Sequence, residues 1–317
     1  MNVTSEDYLI DFYGPSAQWF SIYVAVASVL GVIGNTFFIC ITLTSESLRI
    51  KSSNWLLVGF ATTDLIHVGV HLYDAYAIRF GSIDNREPCW LAGIFVNFTS
   101  PISWGFPGLI AADRYYKIII TDYGKFSLGK TLFSNRFIIP LMIGWCCLSS
   151  ANTVIMSLYD TSGEDPGGFC GNKKFTDIHM LLLYEINMLI FFLSLILSAF
   201  FYVRLGNWLK QHQRSASEDV IRATRDIMRY SSIVTIIPVV VCSPGTFLSS
   251  CQKFLPVISM ELKRILTAPY WLSSIANPWL TIILVRPFRH RVLDLLRKAG
   301  VLAEPRTNRI VHMSTTI

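Results

Sequence analysis

The sequence predicts an all-α membrane protein, a seven-transmembrane helix bundle followed by a short amphipathic eighth helix. Three observations predict it. Apolar residues make up 52% of the 317 and charged residues only 15%, against about 25% charged in soluble domains. So few polar groups cannot cover a soluble protein of this size, and the apolar content excludes disorder. Next, seven stretches free or nearly free of Asp, Glu, Lys and Arg follow one another. Each can supply the roughly 18–25 residues that cross a ~30 Å hydrocarbon layer as a helix. Finally, the 27 basic residues sort by side. Segments 45–53, 113–136, 203–229 and the tail after 285 carry 20 of them, and the other side carries 7.

The elements follow in order. Residues 1–17 form an outer N-terminal segment, and the bundle occupies 18–285. Its uncharged stretches are 12–45, 52–73 (interrupted by Asp64), 88–112, 137–159, 186–203, 230–252 and 265–285. The fifth begins near Asp177 and holds Glu185 inside the membrane. Prolines 101, 107, 140, 238, 244, 269 and 278 lie inside spans. Membrane bundles tolerate them because neighbouring groups satisfy the freed backbone. Strands of a membrane barrel would be about 9–11 residues of alternating polarity, which these are not. Residues 286–299 place Phe288, Val292, Leu295 and Leu296 at helical spacing beside Arg289, Arg291, Arg297 and Lys298, an interfacial helix on anionic membrane lipids. Residues 300–317 are a tail. Basic loops stay cytoplasmic, so the N-terminus is outside the cell membrane and the C-terminus inside. The start MNVTSED has no basic region of a cleavable signal, so the first span is expected to direct its own insertion. The basic residues are too scattered for a nucleic-acid face.

Polar residues inside spans are costly and mark function by default. Gly34-Asn35 lies in the first span, Phe60 to Asp64 in the second, and Asp113-Arg114-Tyr115 at the cytoplasmic end of the third. Trp145 lies in the fourth and Asn277-Pro278 in the seventh; Cys89 and Cys170 lie outside. In order and spacing over about residues 18–299, this set resembles the rhodopsin-like (class A) G-protein-coupled receptors, as a divergent branch. The resemblance implies a receptor that binds an extracellular ligand (small organic molecule, lipid or peptide) and signals through a heterotrimeric G protein, with arrestin as a further partner. It implies a coupling switch of Asp113, Arg114, Tyr115, Asn277 and Pro278, in which Arg114 rests on Asp113. Glu218, Asp219 and Asp226 are the helix 6 acids available to strengthen that pair, none at the family's usual register. The resemblance also implies a sodium pocket of Asp64, Ser103, Ser273 and Asn277, and a disulfide between Cys89 and Cys170, both on an oxidising side.

The second span carries Asp64, His67, His71 and Asp74 at spacings of 3, 4 and 3, which puts them within about 80° on one face. That face must look inward, as a water-filled network or as part of the ligand site. Histidine also makes it sensitive to pH near neutrality. The remaining pocket candidates are Val96, Asn97, Ser100, Thr246, Thr267 and Trp271. Val96 stands where amine receptors carry Asp. Trp271 stands where opsins carry the retinal Lys, so neither retinal nor another cofactor is expected. Lys263 and Arg264 at the outer mouth suit an anion or surface anchoring equally. Cys242 replaces the family's usual Trp and Thr281 its usual Tyr, which fits a chemosensory receptor with altered or non-G-protein coupling. A transporter using the polar stripe is the less favoured reading, because the two halves show no matching interrupted helices. No metal triad or activated nucleophile suggests an enzyme. Asn2-Val3-Thr4 is an outer glycosylation sequon, and Thr315-Thr316-Ile317 looks like a ligand for a PDZ domain.

Overall fold

The computed structural model describes residues 14–80, 86–119, 128–165, 167–173, 177–212, 218–251, 254 and 259–302. Eight long helices carry it: α1 (Ala17–Thr44), α2 (Ser52–Phe80), α3 (Arg86–Ile118), α4 (Ile138–Leu158), α5 (Ile178–His212), α6 (Glu218–Cys251), α7 (Tyr270–Leu284) and α8 (Arg286–Lys298). Short helices Glu46–Arg49, Leu128–Leu132 and Met260–Thr267 punctuate the loops. Between α4 and α5 an antiparallel hairpin pairs β1 (Ser162–Asp165) with β2 (Phe169–Asn172), Glu164 opposite Cys170. Helices α1, α2, α4 and α5 are each long and apolar enough on their own to cross a membrane. In α3 the charges gather at the two ends, which leaves an uncharged middle.

Helix α3 packs on α2, α4, α5 and both hairpin strands. It runs unbroken through Pro101 and Pro107. A proline offers no N–H to the carbonyl four residues back, and neighbouring helices supply the missing donor at Pro101 of α3 and at Pro278 of α7. The Thr153 hydroxyl donates to Asn97 O, the carbonyl orphaned by Pro101, at 2.8 Å. The Asn35 amide donates to Ser274 O, the carbonyl orphaned by Pro278, at 3.1 Å. Asn35 can reach because Gly34 lets α1 close on α7, where an added Cβ would lie 2.7 Å from the Trp279 indole nitrogen.

The seventh span is not continuous. The Met260–Thr267 helix ends on Ala268, and α7 starts after Pro269. The Ala268 carbonyl at this break receives the Tyr23 hydroxyl.

Apolar burial falls into two large layers and a small cluster of Leu181, Tyr184 and Met188. The inner one joins Phe38, Leu56, Phe60, Phe106, Ile138 and Phe288, and the outer one Phe20, Val24, Ile78, Cys89, Cys170 and Trp271. The polar face of α2 runs between them. Exposed Ile22, Val26, Ile33, Ile196 and Val203 present a lipid-compatible periphery. Glu185, expected within the membrane interior, is only half-buried. Among the described residues the buried acids are Asp64, Asp74, Asp113 and Asp165.

Candidate functional site

Asp64 sits at the centre of the bundle, 1% exposed. Ser103 donates to its Oδ1 at 2.7 Å, Ser274 to the same oxygen at 3.4 Å, and Asn277 Nδ2 to Oδ2 at 3.0 Å. This corrects one member of the sequence-derived set. Ser274 turns to the carboxylate, whereas Ser273 meets Cys242. Buried Asn277 Oδ1 has no hydrogen-bond partner among the described residues. Carboxylate and hydroxyl oxygens thus converge, with the Asn277 amide turning its nitrogen to them, and oxygen donors suit a hard cation.

At the end of the bundle that carries Asp113-Arg114-Tyr115, Asp113 is buried but does not hold Arg114. Its carboxylate pairs with Lys117 at 2.5 Å, one turn along α3. Lys117 also donates to Ser52 and Ser53 of α2 at 2.6 and 2.8 Å. An i,i+4 lysine lies on the same helix face, while the next residue points about 100° away; that explains the substitution. Arg114 instead lines a cavity of about 340 Å³ with Asn54, Asp226, Arg286 and Phe288. Asp226 of α6 pairs with Arg286 of α8 at 2.8 Å across this cavity. Glu218 is taken by Arg222 at 3.0 Å, and the Asp219 side chain lies outside the described residues. Tyr115 packs on Phe201 of α5. Thr281 donates to Asn277 O within its own helix at 2.8 Å.

The outer cavity, about 90 Å³, lies beneath the hairpin. His71, Val96, Asn97, Ser100, Thr246, Thr267 and Trp271 line it, joined by Trp104, Asp165, Phe169, Tyr184 and Asn187. Asp74 is absent from the wall. It stands behind His71, accepting from Nδ1 at 2.5 Å, and accepts the Cys170 N–H at 2.9 Å. The Cys89–Cys170 disulfide ties the hairpin to the start of α3. Lys263 and Arg264 do not offer an anion site. Lys263 pairs with Asp165 at 2.8 Å, and Arg264 donates to Gly167 O and Ser16 Oγ at 2.9 and 2.8 Å while lying over the Phe20 ring. Burial pushes the Asp165 carboxyl above the usual carboxylate range, against the opposing pull of Lys263. Cations that sequence reasoning placed at the mouth thus clamp the hairpin over the cavity. The hairpin's wall residues carried no periodicity that could have announced them.

One polar chain crosses this region. Thr99 Oγ1 lies 2.8 Å from His67 Nδ1, and His67 Nε2 lies 3.2 Å from His71 Nε2. Asn2, Thr315, Thr316 and Ile317 lie outside the described residues.

Three comparisons bear on this arrangement. The family model described as 7 transmembrane receptor (rhodopsin family) matches residues 34–280. Among curated proteins, a follicle-stimulating hormone receptor of Cairina moschata is 22% identical over 86% of this chain and 39% of its own length. A thyrotropin receptor of Ovis aries is 24% identical over 90% of this chain and 37% of its own. The chain therefore spans about two-fifths of the length of these relatives. Among solved structures, squid rhodopsin superposes with a TM-score of 0.71 at 13% identity, covering 91% of this chain and 88% of its own, a likeness of fold.

Proposed function

Because the chain belongs to the rhodopsin family of seven-transmembrane receptors, we propose that it binds an extracellular ligand in the cavity beneath the hairpin and signals through a heterotrimeric G protein at the cavity around Arg114. The observation that carries this reading is the pair of cavities at opposite ends of one bundle, one beneath the hairpin and one around Arg114. A ligand acts here by binding one arrangement of the helices better than another, with no chemistry. The outer wall mixes amide and hydroxyl groups with Trp271 and Tyr270, and its one carboxylate among the described residues, Asp165, is already paired with Lys263. That wall suits a small neutral or weakly polar organic molecule. The hormones named for the two relatives are theirs.

In this reading the N-terminus faces outward, as the basic cytoplasmic loops favour. Asp64, Ser103, Ser274 and Asn277 take a sodium ion. Arg114 serves as the switch cation, always charged and able to change partners. Arrestin, a PDZ protein at Thr315-Thr316-Ile317 and anionic lipid under α8 are further partners of the same reading.

The test is a screen of lipids, organic acids and peptides on cells expressing the full chain, with nucleotide exchange as readout. A true hit loses its effect in Ser100→Trp, which fills the cavity, while receptor still reaches the surface. A hit that works equally well on Ser100→Trp contradicts the ligand site.

A further inference from the structure

The chain Thr99–His67–His71–Asp74 closes in two different protonation states. A neutral imidazole has one donor nitrogen and one acceptor nitrogen. The Asp74 carboxylate takes the Nδ1–H of His71 at 2.5 Å, so neutral His71 presents only a lone pair at Nε2. His67 must then donate from Nε2 and accept at Nδ1, and Thr99 must turn its hydroxyl hydrogen to that atom. Thr99 Oγ1 also lies 2.8 Å from Phe95 O, which can only accept. When the hydroxyl hydrogen goes there, His67 donates from Nδ1 and accepts at Nε2, and His71 donates from both nitrogens. The chain then holds one more proton. Every polar atom in it is paired in both states, with the same heavy-atom positions.

We propose that His67 and His71 form a single proton-binding site, filled from the outer cavity whose wall His71 forms, and that its occupancy reverses the donors between α2 and α3. The surroundings can carry the added charge. On α2, Asp74 lies beside His71, and Asp64 lies one turn below His67. From α7, Trp271 stands 5.1 Å from His71 and Tyr270 5.9 Å from His67, centre to centre. An imidazolium is stabilised where it meets the face of such a ring. From α1, Tyr23 is spent on Ala268 O. From α3 come Thr99 and Ser100, with Cys89 held in the disulfide. Tyr184 of α5 lines the cavity, and Cys242 of α6 shares a small void with His67. The hairpin's Asp165 and the cations Lys263 and Arg264 engage one another or the backbone.

The site rests on hydrogen-bond geometry and not on G-protein coupling, so its test reads no signalling. Full-length receptor labelled with ¹⁵N on its six histidines is titrated from pH 5 to 8 in lipid nanodiscs. Its imidazole signals are assigned with His67→Asn and His71→Asn. The expected result is one shared step in which both rings change together, and loss of the His67 step in His71→Asn. Thr99→Val keeps the shape but removes the partner of His67 Nδ1. It is expected to shift the step, because Thr99 donates to His67 in one state and accepts from it in the other, and the two bonds differ in strength. Independent steps for the two rings, no step in this range, or an unmoved step in Thr99→Val would each overturn the proposal. If His71→Asn does not fold, the wild-type titration and Thr99→Val decide it.

Discussion

Asp64 draws its polar hydrogens from three side chains, two of them on α7. Ser273 and Ser274 differ by about 100° around that helix, so only one can face the carboxylate. The expected outcome is that sodium raises the unfolding temperature of wild type and of Ser273→Ala, but far less that of Ser274→Ala or Asp64→Asn. Equal sodium responses in both serine variants would contradict the assignment. The depth of this site was legible in the sequence, because Asp64 and Asn277 fix it. The rotation was not. It depends on the break at Pro269 and on Asn35 holding Ser274 O, both tertiary facts.

Asp165 and Lys263 make a second residue-scale case. With its pKa raised by burial, Asp165 favours folding below the ordinary carboxylate range, a contribution lost as pH rises through the raised value. At neutral pH the pair therefore sits buried against a desolvation cost. Removing one partner of such a pair typically costs about 3–5 kcal/mol, while replacing both with neutral groups is close to neutral. Thermal unfolding should show Asp165→Asn and Lys263→Met each strongly destabilised, and the double variant near wild type. Additive losses in the double would contradict this.

At the scale of elements, the helices and the amphipathic α8 were readable from charge-free length and periodicity. Their joints were less so. The split before α7 hid because a proline within an apolar run reads equally as a tolerated kink. The hairpin hid because two four-residue strands give too little alternation to register. The disulfide, implied by family resemblance, closes a separation of 81 residues. In the chain-entropy model such a loop is worth about 4 kcal/mol, so Cys89→Ser should reduce folded receptor at the cell surface severely, and full surface expression would refute its structural role.

The bridge between α6 and α8 is the other element-scale feature. Asp226 and Arg286 must part if the cytoplasmic end of α6 moves away from α8. Both are partly exposed, and such pairs are worth about 0.2–1 kcal/mol. Asp226→Asn should therefore raise basal nucleotide exchange by about 1.4- to fivefold, and the charge-reversed pair Asp226→Arg with Arg286→Asp should restore it. A basal rate unchanged in Asp226→Asn removes the latch. The sequence listed Asp226 among three candidate acids but named Arg114 as the cation, because a partner arriving from α8 has no sequence signature.

At the scale of the whole molecule, two large apolar clusters hold the bundle and a polar seam on α2 runs between them, with His71 on the wall of the outer cavity. Burying Asp64, His67, His71 and Asp74 carries a cost that apolar replacements would avoid, and a signalling path gives that seam a use. The most direct measurement is nucleotide exchange on purified heterotrimeric G proteins of the several subtypes, with the full chain in lipid nanodiscs. Wild type should accelerate exchange on at least one subtype and Asp226→Asn should do so further, while Arg114→Ala at equal folded receptor falls to the rate of empty nanodiscs. Equal rates for wild type and Arg114→Ala, or no acceleration of any subtype even by Asp226→Asn, would contradict the account.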